Sequence, residues 1–207
     1  MISGLDHIVL VCPEIVSGTA VYAALLGRAP DWQAVSDDGA ATAIFRVNNT
    51  ALELMAPHGD GPVAERLGEI ITEEGPGLKS LAFATADIEH AHHRLTRRGL
   101  KPHEIMPGES RSDTSGKTRA WRRFRCDDAE TGGIRTFLIE HVNGALLPAD
   151  APGGAVASLD HIVINTPNPD RAAALYGARL GLDLALDRTA PEWKTRFLFF
   201  RTGGLTF

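Results

Sequence analysis

The chain has 207 residues, with Lys+Arg 21 against Asp+Glu 26 and a formal charge of −5. That acidic balance argues against a general nucleic-acid binder, which tends to be basic. No apolar run approaches the ~20 residues that a membrane span requires, and two cysteines, Cys12 and Cys126, are too few for a disulfide scaffold. The N-terminus lacks the charged and apolar regions of a secretory signal, so the expected location is the cytoplasm with both thiols free.

In chain order, the pattern predicts a strand over residues 5–11 and a turn at Pro13. A helix follows over about 14–26, with Ile15, Val21, Tyr22 and Leu25 at near-helical spacing. Gly27 sits where a C-terminal glycine cap belongs. Strands over 40–47 and 50–55 flank the turn dipeptide Asn48-Asn49. Gly75-Pro76-Gly77 then opens a second, diverged unit. It has a strand over 78–84, a helix capped by Asp87 and closed by Gly99, and strands over 119–125 and 134–142. Residues 145–158, rich in Ala, Pro and Gly, read as a linker.

The opening motif then returns. Leu5-Asp6-His7-Ile8-Val9 recurs as Leu159-Asp160-His161-Ile162-Val163, and 11 of 23 positions from Leu5 to Gly27 are identical at that offset. Phe45-Arg46 matches Phe200-Arg201 one residue out of phase. Chance does not produce this, so the chain holds a duplicated unit. Three β-α-β-β-β units are expected, at about 3–57, 78–143 and 157–207.

Paired units of this plan opening on Leu-Asp-His-Ile-Val resemble the vicinal oxygen chelate superfamily. It includes glyoxalase I, bleomycin-resistance proteins, methylmalonyl-CoA epimerase and extradiol ring-cleavage dioxygenases. Trp121-Arg122-Arg123-Phe124 and Thr136-Phe137-Leu138-Ile139-Glu140-His141 look like the closing part of a glyoxalase-like domain. The resemblance implies an α+β fold of curled mixed sheets. Residues 1–147 would be a complete two-unit module, 148–157 a linker, and 158–207 a third unit of an incomplete second module. Phe207 lies mid-strand by this alignment, so the chain reads as part of a longer one. A lone third unit leaves exposed edges, and pairing with its copy in a homodimer is expected.

The resemblance also implies a divalent ion (Zn, Ni, Mn or Fe) held by His or Gln on strand one and Glu on strand four of each unit. Such an ion keeps open positions for two neighbouring substrate oxygens. His7 and Glu53 fit the first pair. Each otherwise has a bland reading, as a satisfied core histidine or an edge-exposed carboxylate. In the second unit Ser80 stands at the histidine position. The carboxylate position falls on Phe137 or on Glu140, depending on the end from which the strand is counted. The expected ligands are therefore His7, Glu53 and Glu140, with His161 in the second module. Glu53 or Glu140 would carry the proton, and Ser80, Trp121 and Arg123 would meet substrate.

Two further clusters have simple readings. Glu89, His90 and His93 have metal-like spacing on a helix, but with Arg94, Arg97 and Arg98 nearby a solvated face is favoured. Arg111, Lys117, Arg119, Arg122, Arg123 and Arg125 form a basic stretch, read as a solvated hairpin or as a clamp for a carboxylate or phosphate. Two functions are in play. One is a metal-dependent lyase, isomerase or dioxygenase acting on a small molecule with vicinal oxygens. The other, motivated by Ser80 and Phe137, is a non-catalytic small-molecule binder of the bleomycin-resistance type.

Overall fold

Residues 2–147 and 151–207 are described by a computed structural model. The first unit begins with β1 (Ile2–Val11) and α1 (Ile15–Leu26), then β2 (Trp32–Val35), β3 (Ala40–Arg46) and β4 (Ala51–Pro57). The Glu14 carboxylate caps α1 by accepting from the backbone N–H of Val16 and Ser17, both at 2.7 Å. Gly27 ends it at φ 67°, the left-handed conformation that glycine adopts without strain. α2 (Pro62–Glu74) fills a stretch to which the sequence pattern assigned nothing. The second unit repeats the plan with β5 (Gly77–Thr85), α3 (Ile88–Arg97), β6 (Met106–Arg111), β7 (Thr118–Arg125) and β8 (Arg135–Asn143). Asp87 caps α3 by accepting from the His90 N–H at 2.9 Å.

Both units join in one eight-stranded sheet, in the order β2-β3-β4-β1-β5-β8-β7-β6. β1 runs parallel to β4 and β5 parallel to β8, while β1 and β5 meet antiparallel at the centre. This is a curled mixed sheet with related halves either side of the β1–β5 seam. Strand alternation gives it two faces. Leu5, Ile8 and Leu10 of β1 bury with Leu52, Leu54, Leu81, Phe83, Phe124 and Leu138 against Leu26, Ile88 and Leu95 of the helices. A fully buried side chain of this size contributes about 1.5–3 kcal/mol. The opposite, concave face holds His7 and Glu53.

The third unit packs onto the helix-bearing side and shares its core. α4 (Pro169–Ala173) continues into a π-helical stretch, Ala174–Leu180, and β9 (Asp183–Ala190), β10 (Thr195–Thr202) and β11 (Leu205–Thr206) form a separate three-stranded sheet. Leu175, Tyr176, Leu180, Phe200 and Leu205 join the same buried cluster as Leu5 and Phe83. Asn49 clamps the unit, donating to the Leu159 carbonyl at 2.7 Å and accepting from its N–H at 3.0 Å. Arg179 reaches across to the Arg98 carbonyl at 2.9 Å and the Glu130 carboxylate at 2.9 Å. Gly4 and Gly203 touch backbone to backbone: a Cβ on Gly203 would come within 2.7 Å of the Gly4 Cα.

One expectation fails here. Residues 159–163 repeat the sequence of β1 but do not form a strand; only a bridge between His161 and Thr206 remains. β1 is held by β4 on one side and β5 on the other. The repeated segment meets only the two-residue β11, too little ladder to hold an extended chain.

Candidate functional site

The site starts from one irregularity in β1. Opposite β5 the register slips between Leu5 and His7, so that Asp6 is an extra residue in the ladder. A bulge of this kind re-aims a side chain. Asp6 therefore joins His7 on the concave face instead of alternating away from it. His7 Nδ1 lies 2.7 Å from Asp6 Oδ1, and His141 Nε2 lies 2.8 Å from Asp6 Oδ2. One carboxylate thus accepts from two imidazoles. Asp6 also anchors its surroundings through its carbonyl, which accepts from Arg46 and from Thr50, each at 3.3 Å.

Register carries Glu53 to the same place. Val9 pairs with Glu53 across β1–β4, and residues opposite one another share a face. Glu53 Oε2 lies 3.2 Å from His7 Nε2, and Arg119 from β7 brings a guanidinium nitrogen to 3.6 Å from Glu53 Oε1. The result is a line of alternating charge and imidazole: His141, Asp6, His7, Glu53, Arg119. Every member is largely out of water; the Glu53 and Arg119 side chains are 13% and 11% exposed.

This burial sets the protonation. Burial works against the Asp6 carboxylate, but hydrogen bonds from His141 and His7, with their charge, outweigh it. They hold the carboxyl far below its ordinary 3.8. Burial likewise works against a charged His7, but Glu53 and then Asp6 raise it above its ordinary 6.5. Burial lowers Arg119, with Glu53 and Asp6 opposing, and a guanidinium stays charged in any case.

Arg119 lies over two indoles, its guanidinium carbon 5.2 Å from the Trp32 ring centre and 4.8 Å from that of Trp121. Trp32 is pinned by donating Nε1–H to Ser110 Oγ at 3.0 Å. Trp121 lies flat on Gly108, where a Cβ would come within 2.5 Å of the indole. Glycine is needed there for room. Arg123 sits at the other end of the face, 5.4 Å over the Phe137 ring.

The other expected site residues fall as follows. Glu140 does not join His7 and Glu53. It pairs with Arg122 in the β7–β8 register and lies 3.7 Å from the Arg122 guanidinium. Arg122 in turn binds Glu89 of α3, so this trio belongs to the helix side. Glu140 lies three positions from Phe137, and alternation therefore sends them to opposite faces. Ser80 pairs with Val9 and shares the His7 face. It also lines a cavity of about 290 Å³ with Lys79, Arg135 and Ile162. His161 bonds to Asp160 at 2.8 Å, as His7 does to Asp6, but its side chain is 58% exposed and meets no second acidic partner among the described residues. His90 and His93 are exposed on α3. Cys12 and Cys126 are free thiols, and burial pushes Cys126 up to about 12, which removes it as a nucleophile. Asp6 and His141 were not singled out by sequence, and Trp32 was read there, with Trp121 and Trp193, only as a packing or cavity-wall residue.

The metal that the superfamily implies does not fit this set. A catalytic divalent ion wants three or more donors of suitable type. His7 and Glu53 supply two. The matching positions on β5 and β8 carry Ser80 and Phe137, a weak donor and none. A fixed guanidinium already faces Glu53. Among the described residues no three His, Cys, Asp or Glu side chains are grouped to hold an ion.

The fold is that of a vicinal oxygen chelate module. A glyoxalase-like domain family model matches residues 5–158, and the chain belongs to that family. An ethylmalonyl-CoA/methylmalonyl-CoA epimerase of Cereibacter sphaeroides is 29% identical over 119 residues, spanning 56% of this chain and 85% of the relative. A Streptomyces coelicolor methylmalonyl-CoA epimerase variant, solved with 2-nitronate-propionyl-CoA, superposes with TM-score 0.56 at 20% identity over 69% of this chain and 100% of its own. The Mycobacterium tuberculosis methylmalonyl-CoA epimerase gives 0.54 at 22% identity over 72% of this chain and 90% of its own. At those identities the structures speak to fold. No helix among the described residues is long and apolar enough to cross a membrane.

Proposed function

We propose that the chain is an isomerase-type enzyme that removes and returns a proton at a carbon beside a carbonyl of a small acyl compound. The observation that carries this reading is the Asp6–His7–Glu53 line, with Glu53 Oε2 at 3.2 Å from His7 Nε2. Glu53 is the base. As the C–H bond breaks, its proton passes to the Glu53 carboxylate and its electron pair spreads onto the carbonyl oxygen. Asp6 accepts from His7 Nδ1–H, which turns Nε2 toward Glu53 and lets the imidazole share that proton. The planar enolate turns over above Glu53, and return of the proton from the same carboxylate to what is now the near face gives the epimer. The epimerase relatives support a substrate of this kind, and methylmalonyl-CoA is a suitable first compound to try.

The test is deuterium uptake at that carbon, followed by NMR in D₂O, with wild type and Glu53→Gln. Uptake by wild type that falls about 10²–10⁴-fold in the variant is the expected result. No uptake from any acyl thioester, with tight binding retained, would favour the non-catalytic binder instead. Assays run in EDTA and again with Zn, Ni, Mn or Fe read the metal question; uptake that needs an added ion would make His7 and Glu53 its ligands.

A further inference from the structure

The concave face holds a cation that the exchange between Glu53 and His7 leaves unused. We infer that Arg119 is the electrophile of this site, its guanidinium taking the role that the superfamily gives a divalent ion, and that the substrate presents two neighbouring oxygens to it, as a carboxylate with a nearby carbonyl does. This rests on the proton-transfer reading above and names the charge that would hold the resulting oxyanion.

Four observations converge. Arg119 is placed at the base itself, 3.6 Å from Glu53 Oε1, so an oxygen bonded to the carbon that Glu53 deprotonates lies within its reach. It is restrained, because its guanidinium carbon lies over the Trp32 and Trp121 rings at 5.2 and 4.8 Å. Stacking of this kind occupies the faces and leaves the edge, where the N–H donors point, free for in-plane bonds. It is under-bonded for its burial. Among the described residues its Nε has no hydrogen-bond partner, and at 3.6 Å the contact with Glu53 is an ion pair longer than a good hydrogen bond. Finally, the neighbouring donor positions are Ser80 and Phe137, which leave no competing cation to be assembled there. A planar fork with free donors matches a planar pair of oxygens. Fixed positive charge aimed where negative charge develops is the commonest large contribution to lowering such a barrier.

Oxalate is the probe, since it is planar and presents adjacent oxygens. It is titrated by calorimetry and by indole fluorescence into protein held in EDTA, with wild type and Arg119→Lys. Lysine keeps the charge but loses the fork and the stack. The expected result is metal-free binding by wild type, weakened by about tenfold or more in Arg119→Lys. Binding that appears only after Mn²⁺ or Ni²⁺ is added, or that is equal in both proteins, overturns the inference. Should Arg119→Lys fail to fold, the wild-type titration decides: no oxalate binding in EDTA overturns it. The two readings separate cleanly. Arg119-dependent oxalate binding without any deuterium uptake removes the proton-transfer reading alone. Glu53-dependent uptake that Arg119→Lys leaves unchanged removes the role of Arg119 alone.

Discussion

Asp6 is the residue on which the acid–base line depends. It accepts from both His7 and His141, so Asp6→Asn removes the charge and leaves a single carbonyl oxygen for two donors. A loss of about 2 kcal/mol is expected from urea denaturation, in line with hydrogen bonds to a buried charge. The pH behaviour has a definite sign. The Asp6 pKa is depressed in the fold, so its contribution is present above the ordinary 3.8 and is lost as pH falls below it. The His7 pKa is raised, so its contribution is full below 6.5 and is lost as pH rises through the higher folded value. Wild type should therefore lose stability on both flanks, and Asp6→Asn should flatten the acid flank. An acid flank identical in the two proteins would count against the network. In the sequence, His7 and Glu53 stood out because each is a lone polar residue in an apolar strand. Asp6 did not, because simple alternation sends it to the other face and only the bulge brings it back. Arg119 was hidden among six cations of one stretch; its two indole neighbours come from residues 32 and 121, and no spacing joins them.

At the level of elements, β8 shows how one position decides a role. Phe137, Ile139 and His141 line the concave face, while Leu138 and Glu140 face the helices. The strand could be counted from either end in the sequence, and register with β5 and β7 settles the choice. Glu140→Gln should leave deuterium uptake within about twofold of wild type and change stability by under about 1 kcal/mol, as expected for a half-exposed pair. β6 and β7 make the contrasting case. Gly108→Ala puts a methyl group into the Trp121 indole, so the ring must leave the Arg119 plane. Weaker oxalate binding with little change in the far-UV circular dichroism is the expected outcome. The strands around the repeat motif were legible from apolar runs and turn dipeptides. β2 and β6 were not, since both are short edge strands, and α2 was overlooked between two glycine-rich turns.

Across the whole molecule, the sequence repeat and the energetic units do not coincide. The third unit reads as the start of another module, yet its core is continuous with the first. Phe207 packs on Phe83 with ring centres 5.5 Å apart and stacks on Tyr176 at 6.5 Å. Phe207→Ala should cost about 2 kcal/mol, less than the 3–5 kcal/mol of a fully buried Phe, and should shift a single unfolding transition. Two transitions, with only one moved by the mutation, would show that the units unfold separately.

The eight-stranded sheet carries a last consequence. Its two halves are related across the β1–β5 seam, but they are furnished differently: His7 answers to Ser80, and Glu53 to Phe137. One side carries the His7 and Glu53 pair; at the matching positions the other carries a hydroxyl and an aromatic floor under Arg123. A molecule lying across the seam meets unlike ends. On the proposed chemistry the duplicated frame would therefore give its guest a single heading, with the reacting carbon over the first half and the remainder over the second.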